Sequence, residues 1–270
     1  MQIINCYWGG YFDSPNTLDK TPDNIQYVTL AFSNPTKDSE LSTEFLCSKY
    51  SDKEIIKWVK FLQIKGIKVL MSIIDSPDVH WNIIDKVKFA KSVNEVAINI
   101  WGLDGIDIDA ESDMSENYCD NFISLVENIR NTIPQDKIIT YTCYQGIELN
   151  DGTILKAIKD KINWINLMAY FDSFDGMVNL FNDYNKIIDE KNITIGVKAG
   201  ADNDSSRTPI DEVAKLCKWN SNKKGMMLWT LNRDCNSFTG KKDWLWLNTI
   251  KENLSFNYSL NPINNTCIIS

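Results

Sequence analysis

The stretch Leu103-Asp104-Gly105-Ile106-Asp107-Ile108-Asp109-Ala110-Glu111 alternates apolar and acidic residues from Ile106 onward. Side chains along a strand point to opposite faces with period two. Asp107, Asp109 and Glu111 therefore share one face, and Ile106 and Ile108 take the other. Successive carboxylates on the acidic face lie roughly 6.5–7 Å apart along the chain. The isoleucine face suits cover by helices, which turns the three acids inward, rising toward the C-terminal end of the strand. Asp104 has the opposite parity and reads as a hydrogen-bonding residue where the strand begins.

Burying three carboxylates brings no structural benefit, since desolvation and mutual repulsion cost several kcal/mol unless partners or protons compensate. Repulsion also spreads their pKa values, so one acid can stay protonated near neutral pH beside an ionised neighbour. General acid catalysis needs that split. Two plainer readings compete. An exposed acidic edge strand does not fit the flanking Leu103, Ile106 and Ile108. A calcium loop counted from Asp107 would need glycine where Ser112 stands and glutamate where Tyr118 stands.

Outward from this strand, short apolar runs recur at 3–8, 27–32, 69–73, 138–143, 164–168, 193–197 and 226–229, rich in β-branched and aromatic residues as buried parallel strands are. Stripes at helical spacing lie between many of them: Ile55, Trp58, Val59 and Leu62; Val87, Ala90, Val93 and Ala97; Tyr118, Phe122, Leu125, Val126 and Ile129; Val178, Phe181, Tyr184 and Ile188; more weakly 244–254. Eight strands alternating with helices predict an α/β fold, a single (β/α)8 barrel over residues 1–270, with an open doubly wound sheet as the alternative. Segments 13–24 and 34–51 are polar and read as βα loops, the face that carries chemistry in barrels.

Composition narrows the function. Of 270 residues, 43% are apolar and 24% charged, enough for a sizeable core. The net charge of -8 opposes nucleic-acid or anionic-membrane binding, because both need a basic face. No apolar run approaches the ~18 residues of a spanning helix, so no membrane insertion is expected. The seven cysteines, Cys6, Cys47, Cys119, Cys143, Cys217, Cys235 and Cys267, contain no CxxC pair. They read as free thiols rather than a metal site, with up to three bridges open. No phosphate loop or dinucleotide fingerprint occurs, and no cofactor or metal is expected. His80, the one histidine, sits in a loop without partners for a triad. Lys223-Lys224 and Lys241-Lys242 read as solvated surface.

The form DGIDIDAE, Asp104-x-x-Asp107-x-Asp109-x-Glu111, resembles the catalytic signature of family 18 glycoside hydrolases, the chitinases and related endo-β-N-acetylglucosaminidases. Lys68-Val69-Leu70-Met71-Ser72-Ile73 resembles that family's third strand, Asn166-Leu167-Met168-Ala169-Tyr170 its sixth, and Gly225-Met226-Met227-Leu228-Trp229 its last. The resemblance implies a TIM barrel and retaining, substrate-assisted hydrolysis, an exception to the scheme with two enzyme carboxylates. It implies Glu111 as general acid and base, Asp109 orienting the substrate acetamido group, Asp107 sharing a proton with Asp109, and Tyr170 donating to the acetamido oxygen. Trp229 would stack under the sugar. Met168, Asp172, Tyr7, Phe32, Ser72 and Gln145 are further candidates for the substrate cleft. The expected activity is endo-chitinase, on chitin or another oligosaccharide containing N-acetylglucosamine. The alternatives are an endo-β-N-acetylglucosaminidase acting on the chitobiose core of N-glycans, or a chitin-binding lectin, which the presence of Glu111 disfavours.

Two departures from the family pattern stand out. Ile74 and Asp75 occupy positions where the family has glycines, and Phe171 follows Tyr170 where it has aspartate, leaving Asp172 one residue late. A one-residue shift flips a strand side chain to the other face. Large members carry an extra α/β insertion before the last strand; the roughly 35 residues between 193 and 229 leave no room for it. An open cleft follows, and a monomer is expected. Polymer degradation favours a secreted or extracellular protein; the N-terminus lacks the pattern of a signal peptide, so a cytoplasmic location is the alternative.

Overall fold

A computed structural model describes residues 2–76, 79, 81–109, 111 and 118–254. Eight parallel strands close into a barrel: β1 (Ile3–Gly9), β2 (Tyr27–Pro35), β4 (Lys68–Ile74), β5 (Gly105–Asp109), β6 (Ile138–Cys143), β7 (Trp164–Leu167), β8 (Ile193–Lys198) and β9 (Gly225–Trp229), with β1 pairing both β2 and β9. A ninth, two-residue strand β3 (Leu41–Ser42) folds back antiparallel on the end of β2. The segment 34–51, expected to be a loop throughout, thus contributes a strand. Two residues are too few for periodicity to reveal.

Helices α1 (Asp52–Ile64), α2 (Lys86–Val93), α3 (Tyr118–Thr132), α4 (Asn150–Ile158), α5 (Phe174–Tyr184), α6 (Ile210–Lys218), the short α7 (Asn236–Thr239) and α8 (Leu245–Asn253) complete the α/β barrel. Between β1 and β2 only a 3-10 turn, Leu18–Lys20, replaces a covering helix. A π-helical stretch, Asn94–Ile100, extends α2. Local signals set the helix starts. Ser51 and Glu54 form a reciprocal capping box at α1, and the Asp85 carboxylate accepts from the amides of Val87 and Lys88 at α2. The outward residues of the strands pack with the helices in one continuous core, with Ile106 and Ile108 among them. No helix among the described residues is long and apolar enough to cross a membrane.

The inward-facing residues form three layers. Ile3, Leu70, Ile138 and Trp164 plug the N-terminal end. The next inward position on seven strands is polar and buried: Asn5, Thr29, Ser72, Asp107, Thr140, Asn166 and Thr194. Above them, Tyr7, Ala31, Phe32, Met168, Tyr170 and Met227 cluster at the C-terminal mouth. A typical barrel fills its centre with branched apolar side chains. Here a polar layer takes that place and surrounds one carboxylate. Strand β5 can approach β6 closely because Gly105 lacks a side chain: a Cβ there would lie 2.1 Å from the Ile138 carbonyl oxygen.

Candidate active site

Asp107 occupies the polar layer and is fully buried. Register places it level with Ser72 on β4 and Thr140 on β6. Its Oδ2 accepts from the hydroxyls of Tyr7 (2.8 Å) and Ser72 (2.7 Å), and its Oδ1 from the Thr140 hydroxyl (2.5 Å) and the Asn166 amide (3.2 Å). The Thr142 hydroxyl lies 3.0 Å from Oδ1 and 2.7 Å from the Tyr7 oxygen, so its single proton serves one of the two. Burial raises the Asp107 pKa, and the hydrogen bonds from Thr140, Ser72, Tyr7 and Thr142 oppose the rise.

Asp109, one pleat higher, has the opposite environment. It is 2% exposed, and its Oδ1 is buried without a hydrogen-bond partner. Burial first, and then the negative charges of Glu111, Asp107, Asp75 and Asp151, push its pKa well above the ordinary carboxylate range. Glu111 stands exposed at the mouth. Burial of its carboxyl end among its neighbours, and the charges of Asp75 and Asp151, raise its pKa as well. The Asp109–Glu111 pair therefore keeps a proton bound at pH values where free carboxyls are ionised. Burial likewise holds the Tyr7 and Tyr170 phenols neutral, leaving them as donors.

These groups line a cleft of about 220 Å³ made by Tyr7, Phe32, Ile74, Asp109, Glu111, Thr142, Met168, Tyr170, Met227 and Trp229. A larger hollow, about 520 Å³, opens at the opposite end of the barrel among Lys191, Trp219, Lys223 and Lys224, and holds none of the strand-end acids. The half-buried Trp229 forms one wall, its ring 5.5 Å from Phe32 at 23° and 5.6 Å from Tyr7 at 57°. The peptide bonds Ala31–Phe32 and Trp229–Thr230 are cis. Aromatic surface continues outward from Phe32 through Tyr11 to Phe45, stacked at 4.4 Å. On the far side, the exposed Phe171 meets Tyr144 edge-on at 6.3 Å.

Of the residues expected at the site, Asp109, Glu111, Tyr170, Trp229, Met168, Tyr7 and Phe32 come together around the cleft. Asp107 and Ser72 lie beneath it, bonded to each other. Gln145 is placed to the side, its backbone amide on Asp151 at 2.8 Å and its Oε1 buried without a partner. Asp172 is turned away from the cleft. Its carboxylate accepts from the Ser173 amide (2.7 Å) and lies where a Cβ on Gly176 would be, against the first turn of α5. No bulge returns it, because β7 has already ended at Leu167. Ile74 lines the cleft, and Asp75, buried beside it, accepts from the Trp81 indole.

Thr140, Thr142, Asn166 and Met227 were not expected at the site. All share inward parity with residues that were, so extending the alternation to every strand would have found them. Lys223 corrects a second expectation. It is 1% exposed rather than solvated, and its amine donates to the carbonyls of Cys217 (3.3 Å) and Trp219 (3.0 Å) at the end of α6. Lys224 lies 5.4 Å over the Trp164 ring, and Lys241 pairs with Asp202 at 2.7 Å. Cys6, Cys47, Cys119, Cys143, Cys217 and Cys235 are free thiols; His80 and Cys267 lie outside the described residues. Among the described residues no group of three or more His, Cys, Asp or Glu side chains is placed to hold a metal ion.

Comparison with known proteins gives a consistent picture. Residues 10–230 match the family model of the endo-β-N-acetylglucosaminidase EndoS TIM-barrel domain. A comparison with curated protein sequences finds no match. Among solved structures, a family 18 chitinase from Pseudoalteromonas aurantia superposes with a TM-score of 0.77 at 20% identity, covering 94% of this chain and 100% of that one. A chitinase from Bacteroides thetaiotaomicron gives 0.77 at 16% identity over 94% and 96%. An endo-β-N-acetylglucosaminidase from Cordyceps militaris gives 0.71 at 17% over 94% and 91%. The structural likeness is one of fold; the family model, which spans most of the sequence, places this chain in the EndoS TIM-barrel family of family 18 glycoside hydrolases.

Proposed function

We propose that this glycoside hydrolase cuts the β-1,4 bond between N-acetylglucosamine units by a retaining, substrate-assisted route, and acts as an endo-chitinase. The observation that supports it best is the unpartnered, buried Oδ1 of Asp109, between an acid held in a full set of hydrogen bonds and an acid exposed at the mouth. An orphaned buried acceptor is costly unless a ligand supplies the donor. The N–H of a 2-acetamido group fits: it would bond Asp109 while its carbonyl oxygen, steered by the Tyr170 hydroxyl, attacks the anomeric carbon. Glu111 gives its proton to the leaving oxygen as the glycosidic bond breaks. It then takes a proton from the water that opens the oxazolinium ion, and the substituent returns to its starting face. Asp109 sits beside the positive charge that develops on the acetamido group.

Trp229 is the floor for the sugar at the cut. Its loss in Trp229→Ala removes roughly 1.5–3 kcal/mol of apolar contact, so kcat/KM on a chitin oligomer falls about 10- to 100-fold. Steady-state kinetics on one defined oligomer checks this; an unchanged kcat/KM would place the sugar elsewhere. The aromatic surface running from Phe32 to Phe45 offers stacking to further sugar units, which suits attack within a polymer.

A second reading, cleavage of the chitobiose core of N-glycans, is favoured by the family model over residues 10–230. The same bond and the same groups serve both. The test is digestion of N-acetylglucosamine oligomers and of an N-glycoprotein, with the product anomers read by proton NMR. Oligomers cut to β-anomers support the chitinase. Glycans released while oligomers survive favour the second reading. An α-anomer as first product sinks the substrate-assisted route.

A further inference from the structure

Asp151, in the first turn of α4, is 2% exposed and lies behind the cleft rather than in it. A carboxylate there accepts from three donors. Oδ1 accepts from the Tyr141 hydroxyl at 2.5 Å. Oδ2 accepts from the backbone amides of Tyr144 and Gln145, both at 2.8 Å. The Tyr184 hydroxyl, 3.4 Å from Oδ2, spends its single proton on the Gln145 carbonyl at 2.7 Å. These bonds seize the chain just where β6 ends and the loop 144–149 begins. Gly152 seals the arrangement, since a Cβ there would lie 1.8 Å from the Ile147 carbonyl oxygen. The loop in turn holds Tyr144, whose ring rests edge-on against Phe171 and whose hydroxyl donates to the backbone carbonyl of Glu111 at 3.0 Å.

We propose that Asp151 is a positioning residue for Glu111: through the loop 144–149 and the Tyr144 hydroxyl it fixes the backbone from which the general acid projects. The inference rests on the reading that Glu111 is that acid. Glu111 needs such a tie. It lies beyond the last strand residue of β5, Asp109, where ladder hydrogen bonds no longer hold the chain. A misplacement of about 1 Å in a proton donor can cost 10²-fold in rate. Asp151 also acts by charge. The groups facing Glu111 are Asp109 on its own strand, Asp75 after β4, Tyr11 after β1, Tyr170 after β7 and Asp151 on α4; the negative charges of Asp75 and Asp151 both raise its pKa.

The test uses Asp151→Asn, Tyr144→Phe and the double variant in the full chain. Asparagine keeps the shape and one acceptor oxygen but loses the charge and one acceptor. The expected result is a kcat lower by roughly 10- to 100-fold with KM little changed. The alkaline limb of the pH–rate profile moves to lower pH, because the negative charge that stabilised the protonated acid is gone. A merely structural weakening would lower the melting temperature without moving that limb. Tyr144→Phe removes only a hydroxyl from a half-buried ring and keeps the test open if Asp151→Asn folds poorly. It should lower kcat several-fold, and the double variant should be no worse than Asp151→Asn alone, since both act along one path. Carbon NMR titration of the Glu111 carboxyl reads the same link without turnover: its pKa falls in Asp151→Asn even if the wild type cuts no oligomer, which separates this inference from the proposed activity. Wild-type kcat and an unmoved Glu111 titration in Asp151→Asn, or losses that multiply in the double variant, would overturn it.

Discussion

Glu111→Gln is expected to lower kcat by roughly 10²–10⁴-fold while oligosaccharide affinity stays near the wild-type value. Glutamine keeps the size of the side chain and its hydrogen bonding, but it has no proton to give to a departing oxygen. Glu111 is exposed at the mouth, so the substitution should leave stability within about 0.5 kcal/mol. The two readouts together identify the role. A residue that only bound sugar would raise KM and spare kcat; a residue that only supported the fold would lower the melting temperature. The pH profile adds a sign. A general acid works only while protonated, so the rate falls as pH rises through its pKa. Burial, with Asp75 and Asp151, raises that pKa above the 4.5 of an ordinary glutamate. The alkaline limb of wild-type kcat/KM therefore lies on the high side of that value. In Glu111→Gln the limb should vanish along with the activity. Kinetics across pH, with oligomer binding by calorimetry, checks both. A variant that still cuts at wild-type rate would remove Glu111 from the chemistry.

The strand holding these acids was legible because a strand has a period of two, and the alternation of acid and isoleucine matches it. The same period turns Asn5, Thr29, Thr140 and Asn166 inward as well, but single polar residues in apolar runs carry no signal as strong as three alternating acids, and the polar layer around Asp107 was not expected. Period two stops applying where a strand ends, and side chains beyond that point take directions that alternation does not give. β7 ends at Leu167, so the strand shift by which Asp172 was read as a displaced ligand has no ladder behind it; Tyr170 reaches the cleft from a turn. Asp172 turns toward α5, because a helix N-terminus with exposed amides draws an acid lying just ahead of it. Lys223 was misread because a lysine pair usually lies in water. Here the last carbonyls of α6 need donors, and a folded-back chain brings the amine to them. Asp151 gave no signal, since Asn-Asp-Gly reads as an ordinary turn and its partners, Tyr141 and Tyr184, lie on other elements. Position along the chain was enough to show which acids share a face. It could not show which of them would be filled with hydrogen bonds and which left open.

That difference between Asp107 and Asp109 leads to the second large effect. Asp107→Ala should destabilise the barrel by about 3–5 kcal/mol and abolish measurable hydrolysis. The carboxylate is buried at the level where β4, β5 and β6 are in register, and the hydroxyls of Tyr7, Ser72 and Thr140 and the Asn166 amide converge on it. Alanine leaves these donors in place without their acceptor. The Asn166 amide still reaches Tyr7 at 3.2 Å, and its carbonyl already accepts from Asn5 and Thr194, so part of the network can close on itself. Ser72 and Thr140 have no such recourse, and each buried donor left unpaired costs about 1–3 kcal/mol. Asp107→Asn, which keeps one acceptor oxygen, should lose about half as much. Asp109→Asn should lose least, because its Oδ1 has no partner to forfeit. Urea unfolding of the three variants, with equal m-values as the check that one transition is compared, measures this order. If Asp107→Ala unfolds at the wild-type midpoint, the cost of burying the acid equals what its hydrogen bonds return. Asp107 would then serve catalysis alone, and the polar layer would have no part in holding the barrel together.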